Sequence, residues 1–151
     1  MKLLRRMLCA GFPPEHALES LNSLLILGGN SGAVSVDLVQ IRLDNGKTAV
    51  YKWGAPASFL LRGGMAEKIG TAGPPPGIGV SDNRMTVQRL SLGRGEALIL
   101  VSDGVDTQQL TRCAAAAPGL PPGEMAARIL ELSTAEGTDD ATVAVVRLCT
   151  A

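Results

Sequence analysis

The chain has 151 residues, of which 46% are hydrophobic and only 3% aromatic. This length suits one domain with an aliphatic core, and the scarcity of aromatic residues disfavours a surface that stacks nucleic-acid bases. The 14 Lys and Arg residues balance the 14 Asp and Glu residues, so a nucleic-acid partner is not expected.

Two amphipathic helices are predicted at the start of the chain. Apolar residues recur at helical spacing over residues 3–8 and again over residues 17–27. Gly11 suits the end of the first helix, while Pro14 opens the second helix and a Gly-Gly pair closes it. We therefore expect a helical hairpin.

Antiparallel strands are predicted next. The alternating pattern over residues 34–43 changes phase near Asp37, which indicates a bulge or a strand buried on both faces. The Asp-Asn-Gly sequence at 44–46 favours a tight turn into a partner strand at 47–53. A further short strand is expected at 58–62, before a Gly-Gly turn.

The second half of the chain predicts further strands and two helices. Residues 73–79 contain three prolines and must form a loop. Residues 85–90 alternate, and residues 97–101 form an uninterrupted apolar strand buried on both sides. Two helices, one running from Asp106 into an alanine run and one over 124–133, and a strand at 142–148 complete the prediction.

Two aspartates border apolar strands. Asp103 follows the strand at 97–101, and Asp139 precedes the strand at 142–148. Two ionised carboxylates on one rim of a sheet are costly unless a cation compensates them, which favours a divalent metal site. The alternative is that Asp103 lies in an ordinary Asp-Gly turn and Asp139 at a solvated strand entrance, which is commoner for such dipeptides.

Five motifs occur in one order along the chain. They are Gly-Ala-Pro-Ala-Ser at 54–58, Leu-Leu-Arg-Gly-Gly at 60–64, Pro-Pro-Gly-Ile-Gly at 75–79, Ser-Asp-Gly-Val at 102–105 and Asp-Asp-Ala-Thr-Val at 139–143. In this order the chain resembles the phosphatase domain of stage II sporulation protein E, a bacterial branch of the metal-dependent type-2C protein-serine/threonine phosphatases. The resemblance extends from residue 1 to residue 148.

The resemblance implies an α+β fold in which two antiparallel sheets pack as a sandwich flanked by helices, in α-β-β-α layers. It implies one domain over residues 1–151, with a regulatory helical hairpin at 1–28 and the sandwich core at 33–149. The family's first strands, which carry an Asp-Gly motif, have no counterpart in this sequence. We therefore expect an N-terminally truncated phosphatase domain.

The resemblance also assigns site residues. Asp103 and Asp139 correspond to metal ligands, with Gly104 and Asp140 beside them at the rim, and a water activated by two Mn²⁺ or Mg²⁺ ions replaces a protein nucleophile. Two aspartates alone leave both ions short of ligands. Asp37 is a weaker candidate ligand, for which a bulge or a buried hydrogen bond is the commoner explanation.

The implied substrate is a phosphoserine protein of the anti-sigma-factor antagonist type, with a regulatory dimer or partner contact through the first helices. Three cysteines without a C-x-x-C pair favour reduced thiols and a cytoplasmic location. No sequence stretch reaches the length of a membrane span, although a longer protein with an anchor elsewhere fits the resemblance. The alternative function is a binding or regulatory module that keeps the fold without a complete metal site.

Overall fold

The computed structural model describes residues 2–29, 34–71, 73–78, 83–134 and 140–148. Four helices lie in these ranges: α1 (Lys2–Cys9), α2 (Pro14–Leu27), α3 (Thr107–Ala116) and α4 (Pro122–Thr134). The strands are β1 (Val36–Ile41), β2 (Lys47–Trp53), β3 (Ser58–Arg62), β4 (Met65–Ile69), β5 (Thr86–Ser91), β6 (Ala97–Val101) and β7 (Val143–Arg147).

The described strands form two antiparallel sheets. The smaller sheet has the order β1-β2-β5, and the larger sheet has the order β4-β3-β6-β7. In the larger sheet Phe59 pairs with Ile99, and Val101 pairs with Val143. The start of β3 and the start of β7 therefore lie on either side of the end of β6.

Three apolar clusters hold the layers together. Between the sheets, Val50 of β2 packs with Leu60 and Leu98 of the larger sheet. The outer face of the larger sheet packs against α3 and α4 through side chains such as Leu110 and Ile129. On the opposite side, Leu18 of α2 packs with Tyr51 and Trp53 of the smaller sheet. The layers are thus α-β-β-α, as expected from the resemblance.

The predicted elements are confirmed, one of the two alternatives for β1 is favoured, and one strand is added. The pairing of β1 with β2 runs without interruption from Val36 to Ile41, so the phase change near Asp37 reflects a strand buried in part on both faces rather than a bulge. Strand β4 was not expected, because its sequence, Met-Ala-Glu-Lys-Ile, has three of its five side chains exposed. It pairs with β3 across the turn at Gly63 and Gly64, both of which have positive φ.

The sandwich has two rims. The hairpin rim carries the β1–β2 turn at 42–46, the β3–β4 turn at 63–64 and the β5–β6 connection at 92–96. The Asp103 rim carries the ends of β2, β4 and β6 and the starts of β1, β3, β5 and β7. Because the candidate carboxylates follow β6 and precede β7, the Asp103 rim is where a site can form.

Candidate functional site

Asp103 lies in a short turn between β6 and α3. The turn is closed by the Val105 amide, which donates to the Ser102 carbonyl at 3.2 Å. Val101 and Val105 on either side are buried, whereas Asp103 is exposed. The buried valines anchor the turn, so the carboxylate of Asp103 is held at the solvent-facing edge of the sheet.

The next residues begin α3 with a strong cap. One carboxylate oxygen of Asp106 accepts the backbone amides of Gln108 and Gln109 at 2.8 and 3.3 Å. This is the N-cap interaction expected for Asp at a helix start. The Asp106 carboxylate therefore caps α3, and the Asp103 carboxylate is the one in this segment that is placed to bind a ligand.

The Asp103 turn packs directly on the segment that leads into β7. The Ser102 amide donates to the Thr142 carbonyl at 3.0 Å, and the Thr142 amide donates to the Ser102 hydroxyl at 2.9 Å. The Ser102 hydroxyl also lies 3.4 Å from the Asp140 carbonyl oxygen. Residues 102 and 140–142 are thereby joined at the rim.

Gly104 allows this contact because it lacks a side chain. A Cβ placed on Gly104 would lie 2.5 Å from the carbonyl oxygen of Asp140, closer than non-bonded atoms approach. The glycine of the Ser-Asp-Gly motif thus permits two backbone segments to lie close together. It brings the Asp103 turn against the residue that follows Asp139 in sequence.

The structure describes three of the four predicted site residues. Asp103, Gly104 and Asp140 lie together at the Asp103 rim, with both aspartates exposed. Asp139 lies outside the described residues. Within the described ranges, no group of three or more His, Cys, Asp and Glu side chains is placed to hold a metal ion.

A buried ion pair lies below the same rim. The Lys52 ammonium donates to Asp37 Oδ2 at 2.6 Å and to the Ser58 hydroxyl at 2.9 Å. The Lys52 side chain is 2% exposed and that of Asp37 is 18% exposed. Since Lys52 lies on β2 and Ser58 on β3, this cluster joins the two sheets at the rim.

Asp37 is therefore held by Lys52, in agreement with the expected buried hydrogen bond. Its other carboxylate oxygen, Oδ1, is buried and has no hydrogen-bond partner among the described residues. Sequence reasoning missed Lys52, although a lysine inside the apolar strand at 47–53 is a signal that a buried carboxylate is needed.

The proline-rich loop at 73–78 is tied to both the smaller sheet and α2. Asn83 accepts from the Trp53 indole at 2.6 Å and donates to the Pro75 carbonyl at 2.6 Å. The Gly77 amide donates to the side-chain oxygen of Asn22 at 2.8 Å. A polar chain of contacts therefore runs from the end of β2, through the loop, to α2.

The described cysteines show no sign of catalytic use. Cys9 is exposed and Cys113 is buried in the cluster beneath α3. Burial raises the pKa of the Cys113 thiol, which disfavours the thiolate that a nucleophile requires.

None of the described helices is both long and apolar enough to cross a bilayer.

The family model for stage II sporulation protein E (SpoIIE) matches residues 1–148 of this chain. Curated relatives include stage II sporulation protein E of Priestia megaterium, 32% identical over 106 residues, and that of Bacillus subtilis, 31% identical over 106 residues. These alignments cover 70% of this chain but 18% and 13% of the relatives. The chain thus spans less than a fifth of the length of the curated relatives it matches.

Solved structures show the same architecture. The phosphatase domain of the cell fate determinant SpoIIE from Bacillus subtilis, presoaked with Mn, is 29% identical with a TM-score of 0.66, covering 99% of this chain and 72% of that one. The PP2C phosphatase domain of SpoIIE with a fragment of its regulatory domain is 28% identical with a TM-score of 0.79, covering 97% and 47%.

A more distant structure shows the fold alone. The RsbU and RsbW domains of Rv1364c from Mycobacterium tuberculosis are 21% identical with a TM-score of 0.83, covering 99% of this chain and 46% of that one. The two-sheet sandwich with outer helices is therefore confirmed as the PP2C phosphatase fold.

Proposed function

Because this chain belongs to the stage II sporulation protein E family, we propose that it carries the protein-serine/threonine phosphatase activity of the PP2C type. Asp103 and Asp139 supply carboxylate ligands for Mn²⁺ or Mg²⁺, two ions in the complete site. The supporting observation is the contact of the Asp103 turn with residues 140–142, directly after Asp139.

The donor chemistry of the rim fits such ions. Hard divalent cations prefer carboxylate, carbonyl and water oxygens, and Asp103 presents an exposed carboxylate on a turn anchored by buried residues. Gly104 and Asp140 shape the rim through their close backbone approach. When bound, the metal ions supply an activated water at neutral pH and charge stabilisation of the phosphoryl oxygens.

The role of Ser102 and of the Lys52–Asp37–Ser58 cluster is to hold the Asp103 rim in a fixed geometry. Ser102 fixes the turn through its two hydrogen bonds with Thr142, so Asp103 is held ready before substrate arrives. The Lys52–Asp37–Ser58 cluster fixes the two sheets relative to each other beneath this turn. Such fixed placement lowers the reorganisation needed at the moment of reaction.

The helical hairpin at 1–28 is the proposed regulatory element. Of the residues in α2, only Ala17 and Leu18 are buried, whereas Leu24 and Leu27 are 50% and 83% exposed. The hairpin is therefore held by few buried side chains and can move at moderate cost. The Asn22–Gly77 hydrogen bond connects its position to the loop at 73–78, and a dimer or partner protein that binds the hairpin shifts this equilibrium.

The proposed substrate is a phosphoserine protein of the anti-sigma-factor antagonist type. The test measures phosphate release from such a protein with added Mn²⁺. Asp103→Asn and Asp139→Asn are each expected to lower the rate at least about a hundredfold, since each removes a charged metal ligand. Asp44→Asn, at the exposed β1–β2 turn on the hairpin rim, is the matched control and is expected to keep the wild-type rate.

Unchanged rates in both Asp103→Asn and Asp139→Asn would refute the assignment. Asn22→Ala is measured in the same assay. It removes the hydrogen bond between α2 and the loop at 73–78, so it is expected to change the rate of phosphate release without changing the affinity for Mn²⁺. Calorimetry with Mn²⁺ separates the alternative function: partner binding without measurable Mn²⁺ binding would identify a regulatory module that keeps the fold but not the chemistry.

A further inference from the structure

A second feature of the Asp103 rim is a cavity of about 510 Å³ between the larger sheet and α3. Its apolar part comes from Pro56 and Phe59. Its polar part comes from Lys68 of β4 and from Thr107, Thr111 and Arg112 of α3. The cavity is thus lined by three separate segments of the chain.

The topology places this cavity beside the Asp103 turn. Strand β3 is antiparallel to β6, so the residues at the start of β3 lie next to the end of β6. Helix α3 begins at Thr107, four residues after Asp103, and four residues of extended chain span at most about 14 Å. A substrate segment whose reacting group lies at Asp103 can therefore reach the cavity with residues a few positions away.

The cavity is cationic. Lys68 and Arg112 are both exposed, and neither takes part in the ion pairs found among the described residues, which involve Arg42, Lys52, Arg62 and Arg89. None of the described lining residues is acidic, and Asp106, the N-cap of α3, is not among them. Two positive charges thus face a partly apolar hollow without a described acidic partner.

We infer that this cavity binds acidic residues flanking the phosphoserine of the protein substrate, with Lys68 and Arg112 as specificity-determining residues. The inference rests on the proposed phosphatase function, because it names the substrate class of that site. Charge complementarity favours carboxylates, and the apolar floor of Pro56 and Phe59 accepts the aliphatic part of a glutamate side chain. Exposed ion pairs contribute modestly each, so two together give a preference of about tenfold.

The test measures binding of labelled peptides by fluorescence anisotropy. One peptide has a central phosphoserine flanked by glutamates, and its partner peptide has glutamines in the same places. The wild-type chain is expected to bind the acidic peptide about tenfold more tightly, and raising the ionic strength should reduce this ratio. In the double variant Lys68→Glu, Arg112→Glu the preference should reverse, because the two new carboxylates repel the glutamates of the acidic peptide.

The matched control is Arg94→Glu. Arg94 is also exposed and absent from the described ion pairs, but it lies on the hairpin rim. It should keep the wild-type preference. Equal preference in the double variant and the control, or no preference in the wild type, would overturn the inference.

An unphosphorylated acidic peptide distinguishes the two sources of negative charge. If the double variant binds this peptide more weakly than the wild type does, the flanking carboxylates are the groups that the cavity binds. Sensitivity confined to phosphorylated peptides would mean that the cavity binds phosphate itself, which contradicts the inference. Phosphate release with Mn²⁺ is measured separately, so a chain that shows the peptide preference but no turnover would refute the proposed function and not the cavity assignment.

Discussion

The two rims of the sandwich are built differently from the same strands. The hairpin rim is closed by short turns, and the cations of its ion pairs Arg42–Asp44 and Arg62–Glu96 are 67% and 50% accessible. The Asp103 rim has the ion pair Lys52–Asp37, whose side chains are only 2% and 18% accessible. Both rims contain a glycine at a close backbone approach, Gly46 against the Leu92 carbonyl oxygen and Gly104 against that of Asp140, so the burial of the cation is what distinguishes them.

The two rims differ in the desolvation free energy of their ion pairs. Burying Lys52 and Asp37 requires desolvation of both charges, which a well-packed apolar pair would avoid. An exposed pair such as Arg42–Asp44 has little effect on stability in either direction. Among the ion pairs of the described residues, the one with a buried cation lies at the rim with Asp103, as expected where precise placement matters more than maximal stability.

The largest predicted effect comes from breaking the buried ion pair. Lys52→Met leaves the carboxylate of Asp37 in a mostly buried position without its cation, and we expect a loss of about 2 to 4 kcal/mol in the free energy of unfolding. Urea unfolding measures it. Arg42→Met on the hairpin rim is the control, with an expected loss below about 1 kcal/mol; equal losses in the two variants would erase the distinction between the rims.

A smaller effect is predicted at Gly104. Gly104→Ala places a methyl group against the Asp140 carbonyl oxygen, so the two segments must separate, at a cost of about 1 to 3 kcal/mol. Thermal unfolding reports the stability, and phosphate release should fall together with it.

The control for that change is Gly119→Ala, where a Cβ meets nothing within 4 Å. It should leave both stability and turnover near the wild-type values. A Gly104→Ala variant that behaved like this control would show that the close approach of the two segments is unimportant.

The smallest predicted effect lies on the hairpin rim. Hydrogen bonds from Arg62 hold the pKa of the Glu96 carboxyl below its usual range. A lowered folded-state pKa adds stability above the ordinary Glu range, and this stability is lost as the pH falls through the folded-state pKa. Glu96→Gln should therefore flatten the acid limb of the stability profile and lower Tm at pH 7 by no more than a few degrees.

Melting curves between about pH 3 and pH 7 check this prediction. Phosphate release by Glu96→Gln should remain at the wild-type rate, because Glu96 lies on the rim away from Asp103. A steeper acid limb in the variant than in the wild type would contradict the sign of the pKa change.

The sequence predicted the elements whose signals are local. Helix starts at Pro14 and Asp106 and the buried strand at 97–101 are found where expected, because proline, an N-cap carboxylate and an apolar run act within a few residues. Strand β4 was missed because it is an edge strand with mostly exposed side chains. Its structure depends on pairing with β3, which a local pattern does not reveal.

The candidate site shows the same division between local and non-local signals. Asp103 and Gly104 stand in a recognisable motif next to an apolar strand. The Lys52–Asp37–Ser58 cluster and the cationic cavity arise from residues far apart in sequence, so only the packing of the sheets and α3 brings them together. Non-local electrostatic partners are the part of this site that sequence reasoning could not supply.

If Asp103 belongs to a metal centre at its rim, a bound ion should be visible beside its carboxylate. Crystals of the protein soaked in Mn²⁺ and measured at the manganese absorption edge test it directly. We expect an anomalous peak within about 2 to 2.5 Å of a carboxylate oxygen of Asp103, and its loss in Asp103→Asn. A peak that persists in that variant, or manganese bound only on the hairpin rim, would show that Asp103 is not a metal ligand.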